Sequence, residues 1–299
     1  MSEVASICVD WGTSSFRAYR LDKSGEVLEG RRADAGILAI DDGDFEGAFL
    51  SLVGDWLEAH PNVPLLLSGM IGSRQGWSEA PYLDCPASVQ ALGEALHPLA
   101  LSSRRQAWIA PGLTCHDSSG VPDVMRGEEV QILGALEVLE LQDATFCLPG
   151  THSKWARVSA GAVTGFQTYM TGEVFDVLRR ESILGRMIEH AAWSEESFAA
   201  GVRRSGNDGH LLNQLFGVRA AGLFEQLAPE TAGAFLSGLI IGHEVRAALV
   251  PEQKVYLLGE SGLIELYATA IEICGGTCAR VPDGATAKGL ARLAEGIEA

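Results

Sequence analysis

The chain has 299 residues, of which 47% are hydrophobic and 20% charged, and its formal net charge is −17. This composition is typical of a folded globular protein and excludes a disordered or low-complexity chain. The acidic balance argues against a nucleic-acid-binding protein but allows an anionic substrate held by a local group of cations. No apolar stretch approaches the roughly 20 residues of a membrane span, so we expect no membrane partner.

Six cysteines and the amino-terminal residues bear on the cellular compartment. No two cysteines form a Cys-x-x-Cys pair, and Cys8 and Cys147 lie in apolar runs where a thiol acts as a small hydrophobic group. Asp10 interrupts the first apolar segment before it is long enough for a signal peptide. We therefore predict reduced cysteines and a cytoplasmic protein, with a Cys274–Cys278 disulfide as the alternative.

The first half of the chain alternates between predicted strands and helices. In chain order these are strands at 6–10, 15–21 and 26–32, a helix at 45–60, a strand at 63–68, a helix at 88–99, a strand at 106–110 and a helix at 128–139. Residues 22–25 (Asp-Lys-Ser-Gly) favour a hairpin turn, and apolar residues recur at helical spacing through 45–60. The pattern predicts an α/β domain that begins with three strands.

The second half repeats this pattern. Its predicted elements are strands at 145–149, 154–158 and 163–170, helices between about 174 and 248, a strand at 254–259, a helix at 263–274, a strand at 278–281 and a helix at 285–297. We therefore predict two α/β domains, at 1–142 and 143–299, with a helical insertion at about 174–248 in the second. Two such domains facing each other leave a cleft at the tips of their first hairpins.

The first hairpin tip carries an acid followed by small hydroxyl residues. Asp10 ends a buried strand, and Gly12, Thr13 and Ser14 follow it. Glycine permits close approach of a ligand, and the hydroxyl groups can donate to phosphate oxygens. Asp10 is placed to hold Mg²⁺ through water. The alternative is an ordinary polar hairpin turn.

The second hairpin tip stands at the equivalent point of the second repeat. It consists of Gly150, Thr151, His152, Ser153 and Lys154. No second His or Cys lies at metal-ligand spacing from the histidine, which favours a hydroxyl-rich turn over a metal site. Two phosphate-type turns at equivalent points of two repeats predict binding of a polyphosphate.

Two further elements complete the candidate machinery. Glu128 and Glu129 begin a helix, where acids suit the positive helix end or, alternatively, one of them acts as a general base. Only one of them can face a cleft, because adjacent helical residues point about 100° apart. Gly259, Ser261 and Gly262 follow a buried strand and suit packing against adenine and ribose, although the junction alone is not specific.

In this order the elements resemble the actin-like ATPase superfamily of sugar kinases, hexokinase and Hsp70, and more closely the 2-dehydro-3-deoxygalactonokinase family. The resemblance covers the chain from Asp10 to the last helix. The motifs that carry it are at 10–14 (DWGTS), 68–73 (SGMIGS), 76–77 (GW), 80–83 (APYL), 125–129 (MRGEE), 149–155 (PGTHSKW), 170–173 (MTGE) and 235–239 (FLSGL).

The resemblance implies a fold and an activity. The fold is two actin-like (ribonuclease H-like) ATPase domains with mixed five-stranded sheets flanked by helices, an ATP cleft between them, and a last helix that returns to the first domain. The activity is Mg²⁺-dependent phosphorylation, by ATP, of the 6-hydroxyl of 2-dehydro-3-deoxy-D-galactonate in galactonate catabolism. Related kinases carry an aspartate base where this chain has Glu128 and Glu129, and of these we favour Glu128.

An acidic protein needs local cations to hold a sugar acid. The candidate substrate-binding residues are basic or polar residues near the supposed cleft: Arg17, Arg74, Arg126, Ser68, Met70, Ser73, Trp77, Thr171 and Glu173. For three of these residues the sequence also allows a role other than substrate binding. Arg126 can instead stabilise the transferred phosphate, Trp77 can be a packing residue, and Glu173 can be a helix N-terminal acid.

Two other functions stay open at this stage. One is a kinase of the same fold that acts on another sugar acid, such as the gluconate epimer. The other is a non-catalytic nucleotide-binding regulator, which is disfavoured because Asp10 and an acid at the base position are both present. The oligomeric state is open, with a homodimer as one option.

Overall fold

The computed structural model describes residues 3–188 and 192–297. Three positions of the predicted insertion (189–191) and the last two of the predicted second domain lie outside the described residues. The chain folds into two compact units. Unit 1 comprises the residues up to Asp143, Arg157–Phe166 and the residues from Val281 on, and unit 2 comprises Ala144–Ala156 and Gln167–Arg280.

The first sheet has a parallel centre and antiparallel edges. Its six strands, in spatial order, are β3 (Val27–Ala33), β2 (Phe16–Leu21), β1 (Ser6–Trp11), β4 (Leu65–Ser68), β8 (Gln106–Ile109) and β7 (His97–Ala100). Every residue of β1 and β4 is buried, as expected for central strands covered on both faces. The turn after β1, which the sequence predicts to bind phosphate, therefore follows the most buried part of the sheet.

The second sheet repeats the order of the first. Its strands are β15 (Thr277–Arg280), β14 (Lys254–Leu257), β11 (Ala144–Leu148), β12 (Ser153–Ser159), β13 (Ala162–Tyr169) and β6 (Ala87–Ser88). In both sheets the first three strands form a meander, and the next two lie on the far side of the first strand. The predicted mixed α/β fold is confirmed, and each sheet has six strands rather than the five expected.

A small third sheet was not predicted from the sequence. Its strands, in spatial order, are β10 (Pro122–Met125), β9 (Gly112–His116) and β5 (Tyr82–Asp84). They are short, and the edge strands β10 and β5 show residues that alternate between more and less exposed. Such strands give little hydrophobic periodicity for a sequence to reveal.

Nine helices lie in the described part of the chain. Unit 1 contains α1 (Phe45–Ala59), α2 (Val89–Glu94), α3 (Glu128–Leu139) and α9 (Ala285–Ala294), and unit 2 contains α4 (Thr171–Glu181), α5 (Glu195–Arg204), α6 (Leu211–Leu223), α7 (Ala232–Ala248) and α8 (Ser261–Ile273). None of the described helices is long and apolar enough to cross a membrane.

The predicted helix at 88–99 is wrong in its second half. The helix ends at Glu94, and residues 97–100 form strand β7. Pro98 explains the change, because proline has no amide hydrogen for a helix but is tolerated on the edge of a sheet. It pairs with Trp108 at that edge.

Helices α3 and α9 touch through their backbones. A β-carbon at Gly134 would lie 1.7 Å from the Ala285 carbonyl oxygen, and one at Gly289 would lie 2.0 Å from the Val130 carbonyl oxygen. Only glycine fits at these two positions. The contact fixes α3, whose first two residues are Glu128 and Glu129.

We expect Gly134→Ala to lower the free energy of unfolding by at least about 2 kcal/mol, because the added methyl group meets backbone that cannot move aside. Gly217→Ala on α6 is the matched control, since a β-carbon there has nothing within 4 Å. That exchange should raise stability by about 0.5–1 kcal/mol. Urea unfolding of both variants measures the difference, and an unchanged Gly134→Ala midpoint would contradict the contact.

Candidate active site

Three chain segments meet at the carboxyl end of β1. Gly69, just after β4, has φ +88°, and a β-carbon there would lie 2.8 Å from the Trp11 carbonyl oxygen and 3.2 Å from Asp10 Oδ1. Gly127, just before α3, has φ +106°, and its β-carbon would lie 3.2 Å from Gly69 Cα. Both positions need glycine for conformation and for space. They bring the start of α3 against Asp10.

Asp10 is a buried acid with charged neighbours. Its Oδ2 lies 3.4 Å from Arg17 Nη1, the residue opposite it in the β1–β2 ladder. Burial raises the pKa of Asp10 to about 6; the Arg17 charge lowers it and the Glu128 charge raises it. The influence of the Glu128 charge on Asp10 shows that the two side chains lie near each other.

Glu128 and Glu129 have different surroundings. Glu128 is half-buried, and its Oε2 accepts a hydrogen bond from the Arg126 amide at 3.0 Å. Glu129 is completely buried, and its Oε2 accepts one from the Gly127 amide at 2.7 Å. Burial, together with the Glu128 charge, raises the pKa of Glu129 to about 8. At neutral pH, therefore, Glu129 holds a proton.

Arg126 is a buried cation with unused donors. It is 7% exposed, its Nη2 donates to the Ala80 carbonyl oxygen at 2.7 Å, and its guanidinium lies over the Tyr82 ring at 4.3 Å. Its Nε and Nη1 are buried with no hydrogen-bond partner, as is the Ser73 hydroxyl. Gly72, next to Ser73, faces Nη1 of Arg126. Buried donors without acceptors are costly, and an anionic ligand would satisfy them.

The remaining substrate candidates of unit 1 have packing or surface contacts. The Ser68 hydroxyl is buried and donates to the Val9 carbonyl oxygen at 3.4 Å. Met70 and Trp77 pack against the unit 1 core. The Arg74 side chain is 87% exposed and pairs with Glu79 at 3.6 Å.

Trp77 has the packing role that the sequence left as its alternative. Its ring centroid lies 5.7 Å from that of Phe49. Phe49 is completely buried. The side chain remains partly exposed, so its predicted contact with the substrate stays a prediction.

The turn after β1 is held through its carbonyl groups. The carbonyl oxygens of Gly12 and Thr13 accept hydrogen bonds from the amides of Ile37 and Leu38 at 3.0 and 3.2 Å. Thr13 and Ser14 are exposed. The turn is thereby fixed from behind, with its hydroxyl residues on the outside.

The equivalent turn of unit 2, which we call the phosphate-2 turn (Gly150, Thr151, His152 and Ser153), lies against the start of α4. The Glu173 amide donates to the Thr151 carbonyl oxygen at 3.0 Å. A β-carbon at Gly172 would lie 2.5 Å from the Gly150 carbonyl oxygen. The helix therefore presses directly on the turn.

Charged side chains flank the phosphate-2 turn. His152 Nε2 lies 2.5 Å from Glu173 Oε2, so the predicted sugar-binding acid is paired with the predicted phosphate-binding imidazole. Lys154 is 5% exposed, and its Nζ donates to the His152 carbonyl oxygen at 3.3 Å. A buried ammonium beside a hydroxyl-rich turn suits a phosphate group.

Two members of this region connect to an acid that sequence reasoning missed. The hydroxyls of Ser153 and Thr171 lower the pKa of Glu244, on α7, and so lie close to its carboxyl group. Tyr267, on α8, donates a hydrogen bond to that carboxyl group. The signal in the sequence is slight: one acid inside an otherwise apolar helix.

A cavity of about 350 Å³ lies beside the phosphate-2 turn within unit 2. Its lining is largely apolar and comes from the turn, α4, α7, α8 and the residues Ile188, Ala192 and Trp193; it includes Gly150, Gly172, Ala234, Leu263 and Leu266. The predicted adenosine residues Ser261 and Gly262 begin α8, just before Leu263. A β-carbon at Gly259 would lie 3.4 Å from the Pro149 carbonyl oxygen. The adenosine segment, the phosphate-2 turn and the cavity are thus contiguous.

The described residues contain no group of three or more His, Cys, Asp or Glu that could hold a metal ion. The acid pair of Asp10 and Glu128 is smaller than such a group. Carboxylate oxygens are nevertheless the ligands that Mg²⁺ prefers, and the ion keeps several waters.

The repeated strand order and the two hydroxyl-rich turns define an α/β protein of the actin-like ATPase and sugar-kinase fold. A family model described as 2-keto-3-deoxy-galactonokinase matches residues 10–293. The chain therefore belongs to this family, and the resemblance seen in the sequence is confirmed.

Individual relatives agree with the family model. A protein of Rhizobium meliloti (strain 1021), named as a probable 2-dehydro-3-deoxygalactonokinase, is 38% identical over 97% of this chain and 96% of its own length. The 2-dehydro-3-deoxygalactonokinase of Escherichia coli (strain K12) is 34% identical over 90% of both chains. A crystal structure of a putative 2-dehydro-3-deoxygalactonokinase from Sinorhizobium meliloti has a TM-score of 0.88 and 37% identity, covering 97% of this chain and 98% of that one.

The raised pKa of Glu129 predicts how stability changes with pH. Between about pH 4.5 and 8 the unfolded chain ionises this carboxyl group and the folded chain does not, so the native protein loses stability as pH rises through this window. Glu129→Gln removes this loss of stability. The melting temperature of the variant minus that of wild type should therefore increase by several degrees between pH 5 and pH 8. In a chain of this size, each kcal/mol shifts the melting temperature by about 2 °C.

The same exchange at exposed Glu58 is the control, and its difference from wild type should stay constant with pH. Thermal unfolding followed by circular dichroism in matched buffers measures both. A Glu129→Gln difference that is also independent of pH would show that Glu129 is ionised in the folded protein throughout.

Proposed function

We propose that this protein is a kinase that transfers the γ-phosphoryl group of ATP to the 6-hydroxyl of 2-dehydro-3-deoxy-D-galactonate. The products are ADP and 2-dehydro-3-deoxy-6-phospho-D-galactonate, a step in galactonate catabolism. The observation that carries the proposal is the group of buried Asp10, half-buried Glu128 and buried Glu129 beside Arg126, in a chain that matches its family over residues 10–293. A cytoplasmic location remains our expectation, because all six cysteines are free thiols.

Glu128 is the general base of this proposal. The substrate hydroxyl must lose a proton as its oxygen attacks the γ-phosphorus and the bond to ADP breaks. Glu129 holds its own proton at neutral pH and is completely buried, so it is a poor acceptor. Glu128 is half-buried and close to Asp10. These differences support the choice made from the sequence.

Asp10 is the residue that would hold Mg²⁺, through water. Its carboxylate lies near Glu128, and Arg17 partly offsets its charge. Bound there, the ion supplies charge neutralisation for phosphate oxygens. The exposed hydroxyls of Thr13 and Ser14 are proposed to donate to the same phosphate groups.

Arg126 is proposed to bind the carboxylate of the sugar acid. Its two unpartnered nitrogens and the unpartnered Ser73 hydroxyl supply donors in a buried setting. Nε and Nη1 lie on different edges of the guanidinium, so each can donate its own charge-assisted hydrogen bond to an anionic ligand. The exposed Arg74 lacks that preorganisation.

Unit 2 is proposed to bind the nucleotide. The apolar cavity beside α8 suits the faces of an adenine ring, and Leu263, which follows Ser261 and Gly262 at the start of α8, lines it. The phosphate-2 turn and buried Lys154 suit the phosphates, with a donor from Thr151. The contiguity of cavity and turn supports this assignment.

The base assignment is tested by two neighbouring substitutions. Glu128→Gln should lower kcat at least about 100-fold while ADP affinity stays within about threefold, because only proton removal is lost. Glu129→Gln, the matched control, should keep most of the activity at pH 7. A coupled assay of ADP release with the galactonate-derived keto acid measures both. An inactive Glu129→Gln with an active Glu128→Gln would assign the base to Glu129.

The carboxylate assignment is tested by Arg126→Met. Losing a charged pair of hydrogen bonds should raise KM for the sugar acid by about 10- to 100-fold and leave KM for ATP within about twofold. Arg74→Met distinguishes the competing candidate, and we expect little change from it. If Arg74→Met raises the sugar-acid KM and Arg126→Met does not, the carboxylate lies at Arg74.

A further inference from the structure

A buried acid that the proposed chemistry does not use lies beside the phosphate-2 turn. Glu244, on α7, is 3% exposed. Its Oε1 accepts a hydrogen bond from Trp155 Nε1 at 2.8 Å, and its Oε2 accepts one from the Tyr267 hydroxyl at 2.6 Å. The hydroxyls of Thr171 and Ser153 lower the pKa of the same carboxyl group and so lie close to it. Two hydrogen bonds and two nearby hydroxyl groups thus surround one buried side chain.

Each of these four groups belongs to an element of the proposed nucleotide site. Ser153 is the last residue of the phosphate-2 turn, and Trp155 is the next residue on the same face of β12. Thr171 begins α4, which presses on the turn. Tyr267 lines the cavity, and its hydroxyl lies 2.7 Å from Ser153 Oγ. Glu244 therefore joins β12, α4 and α8 at the point where turn and cavity meet.

Burying the Glu244 carboxyl group is unfavourable for the free energy of folding. Burial raises the pKa of Glu244, and the polar groups of Thr171, Tyr267, Trp155 and Ser153 lower it again. An apolar side chain on α7 would fill this space without that cost, because buried charged groups are often no better for stability than hydrophobic ones. The carboxyl group thus needs a reason other than stability, and its partners supply one.

We propose that Glu244 is a positioning residue that holds the phosphate-2 turn and the start of α4 in the geometry that binds the phosphates of ATP. The proposal rests on the assignment of this turn to the nucleotide. A turn held in its binding geometry loses no ordering entropy when the nucleotide arrives. Without the carboxyl group, Trp155 and Tyr267 lose their acceptor, and Ser153 is no longer held in place through the Tyr267 hydroxyl. Part of the binding energy is then used to order the turn.

Glu244→Gln tests the proposal, because it keeps the shape of the side chain and replaces one acceptor oxygen by a donor. We expect Kd for ADP, measured by calorimetry without sugar acid, to rise about tenfold, the equivalent of one charge-assisted hydrogen bond. KM for the sugar acid should stay within about twofold. Tyr267→Phe removes a single hydroxyl and should weaken ADP binding in the same direction by about threefold.

Gln214→Glu is the matched control, being the reverse exchange at another buried position of unit 2. Gln214 is 1% exposed; its amide donates to the carbonyl oxygens of Asn207 and Gly209, and its Oε1 contacts His243. The variant should lower the melting temperature without changing ADP affinity. If Glu244→Gln behaves in the same way, Glu244 serves stability alone and the proposal is overturned.

Lys154→Met separates this proposal from the nucleotide assignment beneath it. If Lys154→Met leaves ADP affinity unchanged, the turn does not bind phosphate, and both statements fail. If Lys154→Met weakens ADP binding while Glu244→Gln and Tyr267→Phe do not, the nucleotide site stands and the positioning role fails. Weakening by all three variants supports both.

The indole of Trp155 provides a spectroscopic readout. Its Nε1–H donates directly to Glu244, and the Trp155→Phe spectrum identifies its resonance among the six tryptophans. Adding ADP should shift this resonance in wild type, because the network adjusts when the turn is occupied. The shift should shrink in Glu244→Gln. A resonance that ADP does not move in wild type would contradict the coupling between network and turn.

Discussion

The candidate active site of unit 1 depends on one steric constraint. Gly69 lies against Asp10, and Gly127 lies against Gly69. Side chains at either glycine would separate the end of β1 from the start of α3. The backbone contact between α3 and α9, through Gly134 and Gly289, holds the same helix from its other side. Close packing at these four glycines thus places the acids of α3 next to Asp10, independently of any electrostatic interaction.

The buried charged side chains of the two units differ in whether all their polar atoms have hydrogen-bond partners. In unit 1 the Arg126 guanidinium and one oxygen of Glu129 have buried atoms without partners, which is an unstable arrangement in the absence of a ligand. In unit 2 each oxygen of the Glu244 carboxyl group accepts a hydrogen bond, from Trp155 and from Tyr267. The first pattern suits an anionic substrate, and the second suits the support of a neighbouring site.

The sequence predicted what depends on local pattern. The duplicated strand order and the turns at Asp10 and Gly150 were predictable because buried strands there end in small residues. The family motif added the prediction that the acids at the start of α3 take part in catalysis. Properties set by distant contacts were not predictable. Whether Glu128 or Glu129 is buried depends on the packing of α3, and the donors to Glu244 lie 89 and 23 positions away. Pro98, a local signal for the edge strand β7, was overlooked.

The central claim is a phosphoryl transfer to one particular sugar acid. The most direct measurement is acceptor-dependent ADP release with MgATP, comparing kcat/KM for 2-dehydro-3-deoxygalactonate and its gluconate epimer, with a reaction lacking acceptor as the blank. The account predicts strong turnover of the galactonate-derived acid, weak turnover of the epimer and little ADP release in the blank. Equal or greater efficiency on the epimer, or ADP release that does not depend on any acceptor, would contradict it.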